Sequence, residues 1–325
     1  MLRNSLFVIA FCGLLASCST KQELEPRTSD DSVIRLGVAD RVGSRAAVND
    51  LSDLAEEGDN VGIYGVEVDS ATPRPGDGWG NTLPMDNVRT KAIDATSGAI
   101  ELPGIYYYPM DQTHYVKFCA YYPYAAEGSG FSVVAPAAGK APVLNCKLDG
   151  TQDIMCADPV TGGRTTKPNA LKFKHVLTQL HFKIEDVNRD LKDYEIRNIV
   201  FQNANTAAPL NIETGVFGEW SAPAELEVPG IKGEGIIFDG GDSHSMAVGQ
   251  PIMLQPGLDS FLLRVETSGG TYSNVAIKPA GGASAKFESG RSYEITLLID
   301  EQAEILVSAT VRDWVFGGSS SIIIK

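Results

Sequence analysis

The sequence predicts an all-β protein made of two antiparallel β-sandwich domains in tandem. Short runs in which apolar and polar residues alternate recur along the chain, and this is the pattern of strands with one buried face. The 33 glycines and 17 prolines are spread along the chain and suit many short strands joined by tight turns. The chain of 325 residues is long for one domain, and its 43% of hydrophobic residues are enough for packed cores.

The first strand is predicted at residues 34–38. Ile34, Leu36 and Val38 alternate there with a charged residue and a glycine, so one face is apolar and the other is not. This strand precedes the first predicted domain, which spans residues 46–166.

The predicted elements of the first domain begin with a short helical turn at residues 50–57, which stops at Gly58. A polar run rich in glycine and proline at residues 162–168 then marks the boundary with the second domain, at residues 167–325. No repeat of fixed length is visible, which argues against solenoids and propellers. The remaining strands are predicted at residues 61–68, 105–108, 116–122, 131–134, 171–176, 180–184, 194–201, 261–265, 292–299 and 305–311.

The amino terminus has the pattern of a bacterial lipoprotein signal. Residues 1–17 combine a basic start at Arg3 with an apolar stretch at residues 6–15, which is too short to span a bilayer as a helix. Small residues before Cys18 complete a lipobox, so we expect Cys18 to be lipidated and residues 18–45 to form a propeptide that carries the first strand. The alternative is an ordinary signal peptide with an incidental cysteine.

Composition excludes several function classes. The net charge of −14 repels phosphate backbones, so we expect no nucleic-acid partner. Four histidines leave little scope for histidine-based metal or acid–base sites, and the sequence has no G-x-S-x-G or H-E-x-x-H motif, so we expect neither an enzyme nor a cofactor. Beyond Cys12 and Cys18, three cysteines remain, and we interpret these as small buried hydrophobic residues. They are Cys119, Cys146 and Cys156.

Several segments, in order along the chain, resemble the fimbrillin family of Bacteroidota, whose members are type V pilins. The resemblance begins at the lipobox and extends to the carboxy terminus. The matching segments are residues 41–47 after the first strand, VGIY at 61–64, YYYP at 106–109, VKFCAYYPY at 116–124, DIMCA at 153–157, LKFKHVLTQL at 171–180, YEITL at 293–297 and VRDW at 311–314.

The resemblance implies two transthyretin-like β-sandwich domains and a fimbrial subunit that serves adhesion at the outer membrane surface. In this family a lipidated precursor reaches the surface, and an Arg- or Lys-specific protease cuts it after the first strand. The matching bond here is Arg45–Ala46, between small flanking residues, with Arg41 as a second candidate. The alternative is that Arg45 is one solvated arginine in a loop.

Such a cut would remove the first strand and open a groove. Loss of Ile34, Leu36 and Val38 from a core would cost about 5–9 kcal/mol, so the groove needs a replacement strand. A strand from another subunit would meet that need, and such contacts run head to tail. The resemblance implies a donor from the carboxy-terminal region, where residues 305–311 alternate and residues 322–324 are apolar. The alternative is an ordinary final strand on its own sheet.

Two other functions share this composition. Aromatic residues near Trp79, residues 106–108 and residues 121–124 could stack on sugar rings in a glycan-binding surface lipoprotein. Alternating burial predicts that about half of these rings are in the core instead. A fimbrial anchor that keeps its lipid and does not polymerise is the other alternative.

Overall fold

The computed structural model describes residues 31–39, 51–186, 193–233, 235–238, 244–280, 284–299 and 305–312. The described residues from Ser32 to Arg312 belong to one compact unit. The fold is nearly all β, as predicted, and the described helix α1 (Leu51–Glu56) lies at the predicted helical turn. Within the described residues, no helix has the length and apolar character needed to cross a bilayer.

The described residues form twenty strands, most of them short. In chain order they are β1 (Gly62–Val68), β2 (Met85–Arg89), β3 (Ala92–Ile93), β4 (Ile100–Glu101), β5 (Tyr115–Tyr122), β6 (Phe131–Val134), β7 (Val143–Lys147), β8 (Met155–Ala157), β9 (Val160–Gly162), β10 (Phe173–His175), β11 (Thr178–Asp186), β12 (Tyr194–Asn211), β13 (Val216–Phe217), β14 (Ser221–Glu227), β15 (Ile236–Phe238), β16 (Ser245–Leu254), β17 (Phe261–Thr267), β18 (Thr271–Ile277), β19 (Arg291–Ile299) and β20 (Ile305–Arg312).

Two predicted strands do not form ladders: residues 34–38 make only isolated bridges, at Gly37 and Val38, and residues 105–108 make one. Residues 105–108 do not form a strand, and only Tyr107 makes a bridge, to Val33. The backbone bends at residues 103–104 and again at residue 110.

The first sheet has the strand order β10-β8-β5-β1-β2, with β9 also paired to β5. Strand β5 lies at its centre and is buried on both faces, because a hydrophobic core packs against each side. Val116 and Phe118 face the first core, together with Ile63 of β1. Cys119 and Tyr121 face the second. A strand buried on both sides has a nearly continuous apolar sequence, as β5 does.

The central sheet has the order β18-β17-β12-β7-β6, and β13, β14 and β15 also pair with β12. Strand β12 is 18 residues long and contributes to two cores. Its first part, with Ile196 and Phe201, packs in the third core, and Leu210 near its end packs in the second. Strands from both sides of residue 166 therefore pair in one sheet, and the division at 166 stays a prediction.

The third sheet has the order β16-β11-β19-β20 and covers the third core. Strands β11 and β19 are parallel over their full length, whereas the other pairs of this sheet are antiparallel. Phe182 from β11 and Ile295 from β19 meet Phe261 of the central sheet in this core. The result is a β-sandwich in which β20 is an edge strand with β19 as its neighbour.

Candidate functional site

Residues 32–39, here called the leader segment, lie as an extended chain against the first core. Their backbone makes six hydrogen bonds with three other stretches, here called the groove: residues 98–100, residues 106–108 and Leu171. The bonds to the first two stretches are Ile34 N to Tyr106 O (2.8 Å), Tyr108 N to Ser32 O (2.8 Å), Ile100 N to Leu36 O (3.1 Å) and Val38 N to Gly98 O (2.8 Å). The bonds to Leu171 are Leu171 N to Gly37 O (2.7 Å) and Ala39 N to Leu171 O (2.9 Å).

The leader segment fills the first core from one side. Ile34, Leu36 and Val38 are 3%, 6% and 4% exposed, so the predicted apolar face is buried as expected. They pack in the same core as Phe118 and Leu171. These three side chains complete a core that otherwise consists of residues 54–173.

Gly98 allows the leader segment to approach closely. Its φ angle is +69°, and a Cβ atom placed on it would lie 2.2 Å from the carbonyl oxygen of Val38. On the opposite side of this contact, a Cβ atom on Gly37 would lie 3.4 Å from the Gly98 oxygen, which is an ordinary contact. No residue but glycine fits position 98, whereas position 37 has room for a small side chain.

An apolar surface adjoins the groove on its outer side. Ile105, Tyr107 and Met110 are 69%, 53% and 89% exposed. Tyr107 forms a β-bridge with Val33 of the leader segment. Two residues further along the leader segment, on the same outer side, is Arg35, which is exposed. Three large exposed apolar side chains within six residues of the chain make this segment a candidate interaction surface.

A buried ion pair lies on the opposite face of the first sheet. The Lys117 ammonium contacts the Glu213 carboxylate, and their side chains are 2% and 3% exposed. Glu213 also accepts hydrogen bonds from Trp79 Nε1 (2.7 Å) and Gly76 N (3.0 Å). Lys117 donates to the carbonyl of Asp77 (2.6 Å) and lies 5.1 Å from the centre of the Trp79 ring. The Lys117 ammonium and both oxygens of the Glu213 carboxylate therefore have hydrogen-bond partners in the protein, as a buried pair requires.

The three cysteines Cys119, Cys146 and Cys156 are free thiols buried in the second core, as predicted. Burial raises the pKa of Cys119 and of Cys146 to about 12, and it raises the pKa of Cys156 further. A raised pKa disfavours the reactive thiolate, so we expect these buried thiols to be unreactive at neutral pH. Among the described residues no group of three or more histidine, cysteine or acidic side chains is arranged to hold a metal ion.

The other predicted site residues have mixed outcomes. Cys18, Arg41, Arg45 and Ala46 lie outside the described residues, so lipidation and cleavage stay predictions. Strand β20 covers the predicted donor and pairs antiparallel with β19 along its whole length. Residues 313–325, with the apolar run at 322–324, are also outside the described part of the chain.

The aromatic residues considered for sugar binding are divided between core and surface, with most in the core. The buried ones have their rings inside the first and second cores, where they cannot stack on a sugar. Tyr107 is exposed, and Tyr106 is partly exposed. The buried rings are those of Trp79, Tyr108, Tyr121 and Tyr122.

Sequence reasoning predicted a groove that holds the first strand, but it missed the residues that form the groove, and it missed the ion pair. Gly98 ends an Asp94–Gly98 turn, in which Asp94 accepts hydrogen bonds from Ser97, and such a turn is visible in the sequence. Nothing in the sequence near Leu171 indicates that it contacts the leader segment. Lys117 had a readable signal, because a lysine inside the apolar run of β5 needs a buried partner.

Residues 44–314 match the sequence profile of a family described as fimbrillin-like. The match starts after the leader segment and covers most of the chain. No curated protein sequence matches this chain.

Solved structures share the fold. A fimbrial protein from Bacteroides vulgatus has a TM-score of 0.60 and 16% identity, over 87% of this chain and 100% of that chain. A candidate cell adhesion protein from Bacteroides uniformis has a TM-score of 0.57 and 20% identity, over 87% and 99%. Another, from Bacteroides ovatus, has a TM-score of 0.52 and 17% identity, over 88% and 98%. At these identities the likeness concerns the fold.

Proposed function

Because the chain belongs to the fimbrillin-like family, a family of fimbrial subunits, we propose that it polymerises into a surface fimbria by exchanging its leader segment for a strand of another subunit. The precursor is lipidated at Cys18 and held at the outer membrane. An Arg-specific protease cuts the Arg45–Ala46 bond, and the leader segment leaves with the lipid. The fibre then serves adhesion.

The observation that carries this proposal is the way the leader segment is bound. Three buried side chains and six backbone hydrogen bonds hold it, yet its covalent link to the rest of the chain lies on the carboxy side of Ala39. A cut in that link would turn the segment into a separate peptide held by non-covalent contacts alone. The groove would then exchange this peptide for any strand that binds it better.

The free energy of the exchange explains why a vacant groove would be filled. Exposing three apolar side chains and the core beneath them costs about 5–9 kcal/mol. That is comparable with the stability of a whole domain, about 5–15 kcal/mol. The vacant groove would also leave six backbone groups without partners, on residues such as Gly98, Tyr106 and Leu171. A donated strand would bury the apolar surface of the groove again and would supply hydrogen-bond partners for these backbone groups.

The described position of β20 is compatible with donation. It is an edge strand and has β19 as its neighbour in the third sheet, so one ladder must break for it to leave. The groove and β20 are different surfaces of the molecule. A contact between them in two copies is therefore head to tail and extends into a filament.

A disulfide across the groove tests the exchange. Val33 and Tyr107 form an antiparallel bridge flanked by the bonds of Ile34 with Tyr106 and of Tyr108 with Ser32. This is a non-hydrogen-bonded pair, whose Cα atoms are about 4.5 Å apart. That spacing suits a disulfide. A Val33→Cys/Tyr107→Cys variant should be cut normally but keep its leader segment, and it should polymerise after reduction and not before.

The controls are the single variants Val33→Cys and Tyr107→Cys, which should polymerise with or without reductant. The native cysteines do not interfere, because Cys119, Cys146 and Cys156 are buried. Fibres that form from the oxidised double variant at the wild-type rate would reject strand exchange at this groove. Polymerisation is measured as the ladder of oligomers on a denaturing gel.

A further inference from the structure

A shallow pocket with a volume of about 550 Å³ lies at the edge of the first sheet and is open to solvent. It is lined by the edge strand β2 with its flanking residues and by residues 103 and 106. We infer that this pocket binds a pyranose ring of a glycan that carries no negative charge. The inference assigns a ligand to the adhesive role in the proposed function and rests on that role, but the pocket belongs to the uncut chain and does not depend on polymerisation.

The apolar part of the lining consists of Val88, Pro103 and Tyr106. Val88 is buried in the first core, and Tyr106 packs against the same core while it stays partly exposed. The Tyr106 carbonyl accepts a hydrogen bond from Ile34 N (2.8 Å), which fixes the backbone that carries the ring. Gly104 adds no side chain at this point, although a Cβ atom placed on it would lie 3.8 Å from the Tyr106 hydroxyl. A partly exposed aromatic ring on a fixed backbone suits the C–H face of a sugar.

Arg89 supplies a hydrogen-bond donor that is held in place. Its Nε donates to the Asp59 carbonyl oxygen (2.5 Å), and its Nη2 donates to the Asp59 carboxylate (3.1 Å). The guanidinium carbon lies 5.5 Å from the centre of the Tyr124 ring. In the part of the chain that the structure describes, Arg89 Nη1 has no hydrogen-bond partner, so its N–H groups are available to a ligand. Asp59 also lines the pocket, which places an acceptor beside this donor.

The charges around the pocket disfavour an anionic ligand. Arg89 is paired with Asp59, and Lys91 is paired with Glu101 at 2.5 Å, so both cations already have a carboxylate partner. Asp86 is exposed and lines the pocket, and among the described residues it has no ion-pair partner. The pocket therefore has a surplus negative charge on a chain whose net charge is −14. A phosphate or carboxylate would be repelled, whereas a hydroxyl or ammonium group can donate to Asp86.

An apolar surface beside hydrogen-bond donors and acceptors matches the chemistry of a sugar. Each hydroxyl group both donates and accepts, so neighbouring hydroxyls of a pyranose can bond to Arg89 Nη1 and to the carboxylates of Asp59 and Asp86. The C–H face of the same ring would then cover Tyr106. A wholly apolar ligand would desolvate the charged groups without giving them partners. A basic peptide would use Asp86 and leave Arg89 Nη1 without a partner.

An open pocket of this kind gives weak binding to one sugar, and the fibre compensates for that. For a ligand of about 13 non-hydrogen atoms we expect a Kd of about 1–10 mM. A fibre repeats the pocket once in every subunit. Binding to a surface that carries many copies of the sugar is then strengthened by multivalency, by about 10²–10⁴-fold where the spacing allows.

Saturation-transfer NMR tests the pocket on the purified full-length precursor, in a detergent without a sugar head group. The probes are the methyl glycosides of glucose, galactose, mannose, N-acetylglucosamine, glucosamine and N-acetylneuraminic acid. We expect at least one of the first five to bind with a Kd of about 1–10 mM. N-acetylneuraminic acid carries a carboxylate and should bind at least about tenfold more weakly than the best of them.

Two variants locate the binding. Asp86→Ala removes an exposed acceptor, and Tyr106→Leu removes the ring while it keeps an apolar side chain against the first core. Each should raise the Kd of the best sugar at least about tenfold. Glu219→Ala is the matched control, because Glu219 is exposed and lies outside the pocket, and its Kd should equal that of the wild type. Chemical denaturation shows that each variant is folded. Wild-type affinity in folded Asp86→Ala and Tyr106→Leu would show that the sugar binds elsewhere and would overturn the inference.

The remaining outcomes are also decisive. Binding of none of the five sugars, or tightest binding of N-acetylneuraminic acid, would overturn the inference. So would binding of acetyl-lysine amide and of no sugar, because Asp86 would then capture cations alone. Precursor that binds no sugar but polymerises after cleavage leaves the proposed function standing. Precursor that binds a sugar but never polymerises keeps the pocket and rejects strand exchange.

Discussion

The α-carbon of Gly98 faces the carbonyl oxygen of Val38 so closely that a Cβ atom at residue 98 would lie 2.2 Å from that oxygen. Because Gly98 has no side chain, the turn that ends at Gly98 can come close enough to the leader segment to accept a hydrogen bond from Val38 N. The contact also makes Gly98 a position at which a single methyl group blocks the groove for any strand.

Replacing Gly98 by alanine should therefore displace the leader segment. We expect the precursor to lose more stability than the roughly 1–3 kcal/mol that a positive φ alone costs a non-glycine residue. Gly128→Ala is the matched control, because Gly128 has a φ of +80° and open space around it. Chemical denaturation gives the two free energies of unfolding. Equal losses in the two variants would contradict the steric role of Gly98.

Substitutions in the buried ion pair should be costly one at a time. Lys117→Met leaves the Glu213 carboxylate buried without a cation and should lower the free energy of unfolding by about 3–5 kcal/mol. Adding Glu213→Leu should recover part of that loss. Lys91→Met is the control, since its pair with Glu101 is exposed and should contribute less than about 1 kcal/mol. A similar small effect at Lys117 would show that the pair contributes little.

The His114 side chain should make stability depend on pH. Its imidazole hydrogen-bonds to the Glu67 carboxylate, with Asp69 at 3.7 Å, and this raises the pKa of His114 above its ordinary value of 6.5. The stabilisation is complete below that ordinary pKa and is lost as pH rises through the raised value. An NMR titration should show the raised pKa in the wild type and a lower one in Glu67→Gln. An unchanged pKa in Glu67→Gln would assign the shift to another group.

The native thiols should resist modification. Because burial raises the pKa of Cys119 and of Cys146 to about 12, and that of Cys156 further, a thiol reagent such as DTNB should label none of them in the folded, cleaved protein. All three should react in denaturant. Rapid labelling of any of them in native buffer would show that the second core opens readily.

Cleavage is tested by removing the arginines of the predicted site. A chain with Arg45→Ala and Arg41→Ala should remain uncut and unpolymerised at the cell surface, because no arginine would remain between the leader segment and α1. Mass spectrometry of the amino terminus should find Ala46 first in the wild type and an acylated Cys18 in the variant. Normal fibres from the double variant would reject the cleavage model.

The sequence predicted those elements whose burial pattern is local. The structure confirms strands β1, β5 and β6, and it confirms the buried apolar face of the leader segment, although that segment makes only isolated bridges. Strand β14 was not predictable in this way, because it is almost wholly exposed and contains Pro223. The second half of β12 was missed since residues 202–209 are rich in Asn and Ala and include Pro209, and these residue types are depleted in strands.

The groove was harder to predict than the strand it holds. The alternation at residues 34–38 indicates a buried face, but it does not identify what covers that face. The partners are residues 98–100, residues 106–108 and Leu171, and most of these lie in irregular segments without a periodic pattern. The parallel pairing of β11 with β19 joins residues more than 110 positions apart, and likewise has no local pattern.

The bond between the leader segment and Leu171 has a consequence for biosynthesis. A ribosome makes the chain from the amino end, so residues 32–39 emerge long before residue 171, to which Gly37 and Ala39 are hydrogen-bonded. The first apolar segment to be made therefore cannot complete its hydrogen bonds until about half of the chain has been synthesised. Until then its apolar side chains are available to chaperones and to other nascent chains.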